Sequence, residues 1–156
     1  MSKLQLSTNK TLKLTNVLKY KINFTGEELR IEALIEQMQS YIRIKGVAQI
    51  GPLIQYTRPY VNESGQMEIE MMFLLQCSSF IHEVEEPYSM ESVLRVPDCM
   101  YVRYMEAEDK LKFAYDKIHL TAFEENISLR GDSYTIFVDR NDEENIIVAD
   151  VFMPKA

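Results

Sequence analysis

The feature that most restricts how this chain can fold is an internal offset of 80 residues. Helical periodicity opens near Gly26 and again near Glu106, 80 positions later. The same offset lays Ile22 on Val102 and Glu70 on Asp150. Three elements in one register imply a duplicated unit, even though the halves share little identity.

The first half carries the clearer helix signal. Thr25-Gly26-Glu27-Glu28 has the form of a capping box, in which Thr25 accepts from the Glu28 amide and the Glu28 carboxylate reaches back. Leu29, Ile31, Leu34, Ile35, Met38, Tyr41 and Ile42 then recur at helical spacing, and Gly46 suits a C-cap. A helix is predicted over 26–45. The second is predicted from 106 to about 126, opened by Glu106, Glu108 and Asp109 at its positive end. Its inward stripe is Leu111, Ala114, Tyr115, Ile118 and Ala122, extended by Phe123, and Asn126 suits its left-handed end.

Strands fill the remainder. Alternating segments at 20–24 and 100–104 lead into the two helices. Hairpins are expected over 53–60 with 67–77, and over 133–138 with 146–153, the latter crossing the acidic turn at 139–144. An extra strand at 89–96 is expected to turn back at Pro97-Asp98. The expectation is one domain over 1–156, with pseudo-repeats at about 15–77 and 88–154. Its class is α+β: a strand–helix–strand–strand unit used twice, with antiparallel sheet, two helices on one side and a central cleft.

Alternation assigns the faces. Met67, Ile69, Met71, Phe73 and Leu75 form an apolar set expected against a helix, as do Ile147, Ala149, Val151 and Met153. The opposite sets include Glu70 and Met72 in one strand, Asp150 and Phe152 in the other. Tyr20, Ile22 and Phe24 match Met100, Val102 and Tyr104 as helix-facing sets, leaving Lys21, Asn23, Tyr101 and Arg103 toward the cleft. The groove so formed is lined by Tyr56, Met72, Tyr101, Arg103, Thr135, Phe137 and Phe152, with Glu70 and Asp150 near its axis. Aromatic faces beside a desolvated carboxylate suit a lipophilic cation. A second reading stands beside it, in which Glu70 and Asp150 are wet carboxylates salt-bridged to Lys21 or Arg103 and the aromatics are core.

These residues also carry a resemblance. Tyr134-Thr135-Ile136-Phe137, the closing run Ala149-Asp150-Val151-Phe152-Met153-Pro154, Gly51-Pro52 before a tyrosine-bearing strand, and Glu68-Ile69-Glu70 are similar to short motifs of one family. The chain resembles the gyrase-inhibitor-like fold that also serves as effector-binding domain in multidrug-responsive bacterial transcription regulators, over about 17–154. The resemblance implies a small hydrophobic or cationic ligand in the cleft. It also implies a glutamate in the penultimate strand that meets cations and in some members assists hydrolysis. That position falls on Thr135, and the usual His-Gly-Pro-Tyr-like entry to the second helix is Met105-Glu106-Ala107-Glu108. Neither function can therefore rest on a carboxylate at Thr135.

Charge and motif content narrow the classes further. The net charge of −7, with lysine and arginine dispersed, opposes direct binding to nucleic acid or anionic membrane. No secretory segment is recognised at the start, so Cys77 and Cys99 are expected as reduced, buried thiols in a cytoplasmic protein. No helix-turn-helix is expected before the first strand. His82 and His119 lack metal-ligand spacing, Ser78-Ser79 and Ser133 lack a nucleophile motif, and no cofactor is expected. Arg130-Gly131-Asp132 reads as a turn, and 139–144 as a solvated hairpin tip able to face a basic partner. The resulting expectation is a stand-alone binding or sequestering protein. An acidic adaptor or inhibitor is the alternative, and a hydrolase using Asp150 comes third.

Overall fold

Two strands of 17 residues, β1 (Gln5–Lys21) and β4 (Tyr88–Tyr104), organise the molecule by pairing with each other over most of their lengths. The computed structural model describes residues 4–22 and 30–156. Each long strand is followed by a helix, α1 (Ile31–Ile44) and α2 (Lys112–Glu124). Each helix is followed by a hairpin, β2 (Ile54–Val61) with β3 (Met67–Gln76), and β5 (Ser133–Asn141) with β6 (Ile146–Pro154). All ladders are antiparallel, and the order β1-β3-β2-β5-β6-β4 closes into a barrel.

The duplication reaches into the backbone. Left-handed φ values fall in pairs: Gly46 and Asn126, Gly51 and Gly131, and Gly65 and Asn145 are each 80 residues apart, and Asn16 and Asp98 are 82 apart. Asn16 and Asp98 interrupt the long strands with φ of 50° and 54°, a region Asn and Asp tolerate better than other non-glycine residues. At each, the inward-facing set changes parity. Leu12 and Leu14 give way to Val17, and Leu94 and Val96 give way to Cys99 and Tyr101. The expected reversal at Pro97-Asp98 does not occur. One left-handed residue kinks a strand without turning it back, and pairing with β1 carries β4 through the kink with a slip of register near Lys10.

Each helix covers the outer face of its own half. Met38 and Ile42 of α1 are buried with Leu18, Phe73 and Leu75, while Ala114, Ile118 and Ala122 of α2 are buried with Met100, Val102, Ala149 and Val151. Each large apolar side chain so buried contributes about 1.5–3 kcal/mol. The alanines of α2 let it approach the sheet closely.

Several boundaries differ from expectation. The capping box Thr25–Glu28 lies outside the described residues. Arg30 has extended backbone (φ −99°, ψ 95°), so α1 opens at Ile31. A 3-10 turn at Glu108–Lys110 precedes α2, and the Tyr104 hydroxyl donates to the Ala107 carbonyl beside it. Ile31 is exposed, and Phe123 is 82% exposed, because it lies one position beyond the buried Ala114–Ile118–Ala122 stripe. Met67 (70% exposed) and Ile69 lie outside the cluster that α1 covers, unlike Met71, Phe73 and Leu75 further along the same face.

Candidate functional site

The inward faces of the barrel meet in an apolar cluster that includes Leu12, Val17, Ile54, Leu74, Val96 and Cys99. Across it runs one continuous row of side chains, each step in strand register: Lys21, Met72, Tyr56, Tyr134, Phe152 and Tyr101. The row is pseudo-symmetric about the Tyr56–Tyr134 step. On one side stand Met72 and Lys21, flexible chains; on the other stand Phe152 and Tyr101, rigid rings. Tyr56 and Tyr134 approach with centroids 4.7 Å apart, and Tyr101 and Phe152 with centroids 4.9 Å apart, both tilted. Such pairs add about 0.5–1.5 kcal/mol beyond burial. The Lys10 ammonium lies 5.3 Å from the Tyr101 ring centre.

Ion pairs flank the row. On one side, Arg103 forks onto Asp150, Nε to Oδ1 at 2.8 Å and Nη2 to Oδ2 at 2.9 Å, while the Tyr101 hydroxyl donates to Oδ1 at 2.8 Å. Burial, then the hydrogen bond to Asp150, pushes the Tyr101 hydroxyl above its ordinary pKa. On the other side, Arg58 meets Glu70 at 2.5 Å, and Tyr60 donates to Glu68 at 2.6 Å.

A third cluster was not anticipated. Asp132, only 4% exposed, accepts from Arg130 Nε at 2.8 Å, from Arg130 Nη2 at 2.6 Å and from the Tyr56 hydroxyl at 2.8 Å. Burial pushes its carboxyl up, but the bonds from Arg130 and Tyr56 outweigh that and hold it below the usual carboxylate range. Burial, together with the charge of Asp132, pushes the neighbouring Tyr134 hydroxyl up to about 12. The only sequence sign was Gly131 (φ 112°), which allows the tight bend that returns Asp132 inward.

The expected site residues therefore divide. Tyr101, Arg103, Asp150 and Phe152 come together as one cluster, and Tyr56 and Met72 lie on the same row. Glu70 faces the same interior but stands across the row from Asp150, paired to Arg58, so the two carboxylates do not share an axis. Thr135 and Phe137 are corrections. Their register partners Val151 and Ala149 pack on α2, and Thr135 is hydrogen-bonded to Tyr115 of that helix. Tyr134-Thr135-Ile136-Phe137 has large residues of both parities, so alternation could not choose a face. Tertiary packing put Tyr134 and Ile136 inward.

Among the described residues no three of His, Cys, Asp or Glu are grouped to hold a metal ion, and no helix is long and apolar enough to cross a membrane. A shallow groove of about 500 Å³ runs outside the barrel along α1, between Ala33, Gln37, Ser40 and Tyr88.

No family model matches the chain, and no curated protein is similar to it in sequence. Solved structures are similar in fold. The C-terminal domain of EcmrR superposes with a TM-score of 0.70 at 12% identity, over 98% of each chain. EcmrR in a cryo-EM complex with DNA gives 0.67 at 12% identity, over 97% of this chain, which spans 57% of that one. A hydrolase from Listeria innocua gives 0.59 at 9% identity, covering 96% of this chain and 92% of that one. The chain shares the α+β fold of the EcmrR C-terminal domain, with six antiparallel strands and two α-helices among the described residues.

Proposed function

We propose that this protein binds a lipophilic small molecule at the Tyr101–Phe152 end of the interior row. The single observation that carries the reading is that row, in which four aromatic side chains stand in register on four adjacent strands. Tyr101, which ends the row, is only half-buried, so this end of the row is accessible. Mostly apolar walls with a few fixed polar groups are what small-molecule sites have in common. The likeness to the EcmrR C-terminal domain supports the fold this reading needs.

The test is saturable binding of an uncharged fluorescent hydrophobe such as N-phenyl-1-naphthylamine. Tyr101→Ala is expected to weaken it about tenfold, the loss of roughly 1.4 kcal/mol that one aromatic wall supplies. Val61→Ser on the distant hairpin tip should leave it unchanged. Absence of saturation, or indifference to Tyr101→Ala, rejects the reading.

A second reading, a protein-interaction partner, is favoured by the β2–β3 tip, where Val61, Met67 and Ile69 are exposed together on one face. The acidic 139–144 tip supports it less, because Arg140 is engaged by Glu108 at 2.5 Å and Asp142 at 3.6 Å. Hydrolysis draws little support. A general base needs a lone pair turned to water, and both oxygens of Asp150 accept from Arg103, one of them also from Tyr101.

A further inference from the structure

The three carboxylates that flank the interior row each have an arginine partner: Asp150 with Arg103, Asp132 with Arg130, Glu70 with Arg58. They differ in what holds the arginine. Arg130 lies two residues from Asp132, on one bend, and Tyr56 closes the remaining side. Glu70 lies toward the hairpin tip, away from the paired rings. Of the three, Asp150 sits beside the Tyr101–Phe152 pair; its arginine, like that of Glu70, comes from a neighbouring strand directly across the ladder.

Like the other two pairs, that of Asp150 with Arg103 is lopsided in exposure. The Asp150 side chain is 12% exposed, against 46% for Arg103. The guanidinium can therefore swing into water and regain its hydration, while the carboxylate stays buried and needs a replacement cation. Carboxylate and aromatic faces together form a place for a cation, and the protein's own side chains already fill it, Arg103 on the carboxylate and Lys10 at 5.3 Å from the Tyr101 ring centre.

Resting on the function proposed above, we propose that Arg103 is a resident cation that sets the charge preference of the site. A lipophilic cation gains Asp150 only by displacing Arg103, whereas an uncharged guest stacks on Tyr101 and leaves the fork in place. Arg103 is thus the specificity-determining residue, and the intact chain favours uncharged guests.

The experiment compares rhodamine 6G, a lipophilic cation, with N-phenyl-1-naphthylamine on the full chain, as wild type, Arg103→Gln and Arg103→Lys. Arg103→Gln should raise the affinity for rhodamine 6G at least tenfold relative to that for the neutral probe. Arg103→Lys, which keeps the charge, should stay near wild type. If the neutral probe binds wild type but Arg103→Gln leaves that relative affinity unchanged or lower, the resident-cation role is wrong while the binding function stands. If neither probe binds any form, both fall. A measurement on wild type needs no variant to fold: the Arg103 Nε–H resonance should shift at saturating rhodamine 6G and hold still with the neutral probe. A resonance indifferent to the cation overturns the role.

Discussion

The Tyr56 hydroxyl donates to the Asp132 carboxylate at 2.8 Å across 76 positions of sequence, and so ties the first hairpin to the entrance of the second. Removing it by Tyr56→Phe leaves a buried carboxylate oxygen one donor short. The expected cost is about 1–2 kcal/mol, read from urea unfolding midpoints. Arg130→Ala should cost more than Tyr56→Phe, because Asp132 then loses both guanidinium bonds.

The same carboxylate gives a pH dependence whose sign is defined. Asp132 is held below its usual range in the folded state, so its contribution is complete above the unfolded value of about 3.9 and is lost as pH falls through the lower folded value. The stability gap between wild type and Asp132→Asn should be constant from pH 7 to pH 5 and shrink below about pH 4. Urea midpoints at those pH values measure it; a gap that widens in acid contradicts the assignment.

The kinks at Asn16 and Asp98 make a conformational prediction. A β-branched residue has poor access to left-handed φ, so Asn16→Val should destabilise by about 1–2 kcal/mol and Asn16→Gly should be close to neutral. Thermal unfolding distinguishes them. Equal losses for both would mean that the Asn16 side chain, and not its backbone, is what the strand needs.

Cys77 and Cys99 are free and buried, and burial pushes both thiols above their ordinary pKa. Neither should react with a thiol reagent at neutral pH until denaturant opens the fold. Two thiols titrating together at the unfolding midpoint is the expected result; fast labelling of either in buffer would place it at the surface.

Phe123 carries no packing duty, being among the most exposed large apolar side chains described. Phe123→Glu should change stability by no more than about 0.5 kcal/mol. A larger loss in dilute protein would show that the residue is covered in solution.

Much of the site was legible because strand alternation is a local property. Met100, Val102 and Tyr104 were separable from Tyr101 and Arg103 by parity alone, and β6 divided in the same way. Parity failed at Thr135 and Phe137, where both faces of β5 are buried or half-buried and either set reads as interior. It failed again at Met67 and Ile69, since alternation marks a face but not whether a helix reaches far enough to cover it. Asp132 was missed for another reason. Its partner Tyr56 is 76 residues away, and nothing near Arg130-Gly131-Asp132 signals burial.

What the amino-acid order determined by itself was the twofold plan: two helices, two hairpins and their common 80-residue spacing, all written in short-range periodicity that each segment carries alone. What only the tertiary structure decided was how those units close on one another. The barrel order, the in-register row from Lys21 to Tyr101 and the pairing of Asp150 with Arg103 depend on contacts between strands far apart in sequence. Such contacts form only once the whole ladder has chosen its register, and no local pattern encodes that choice.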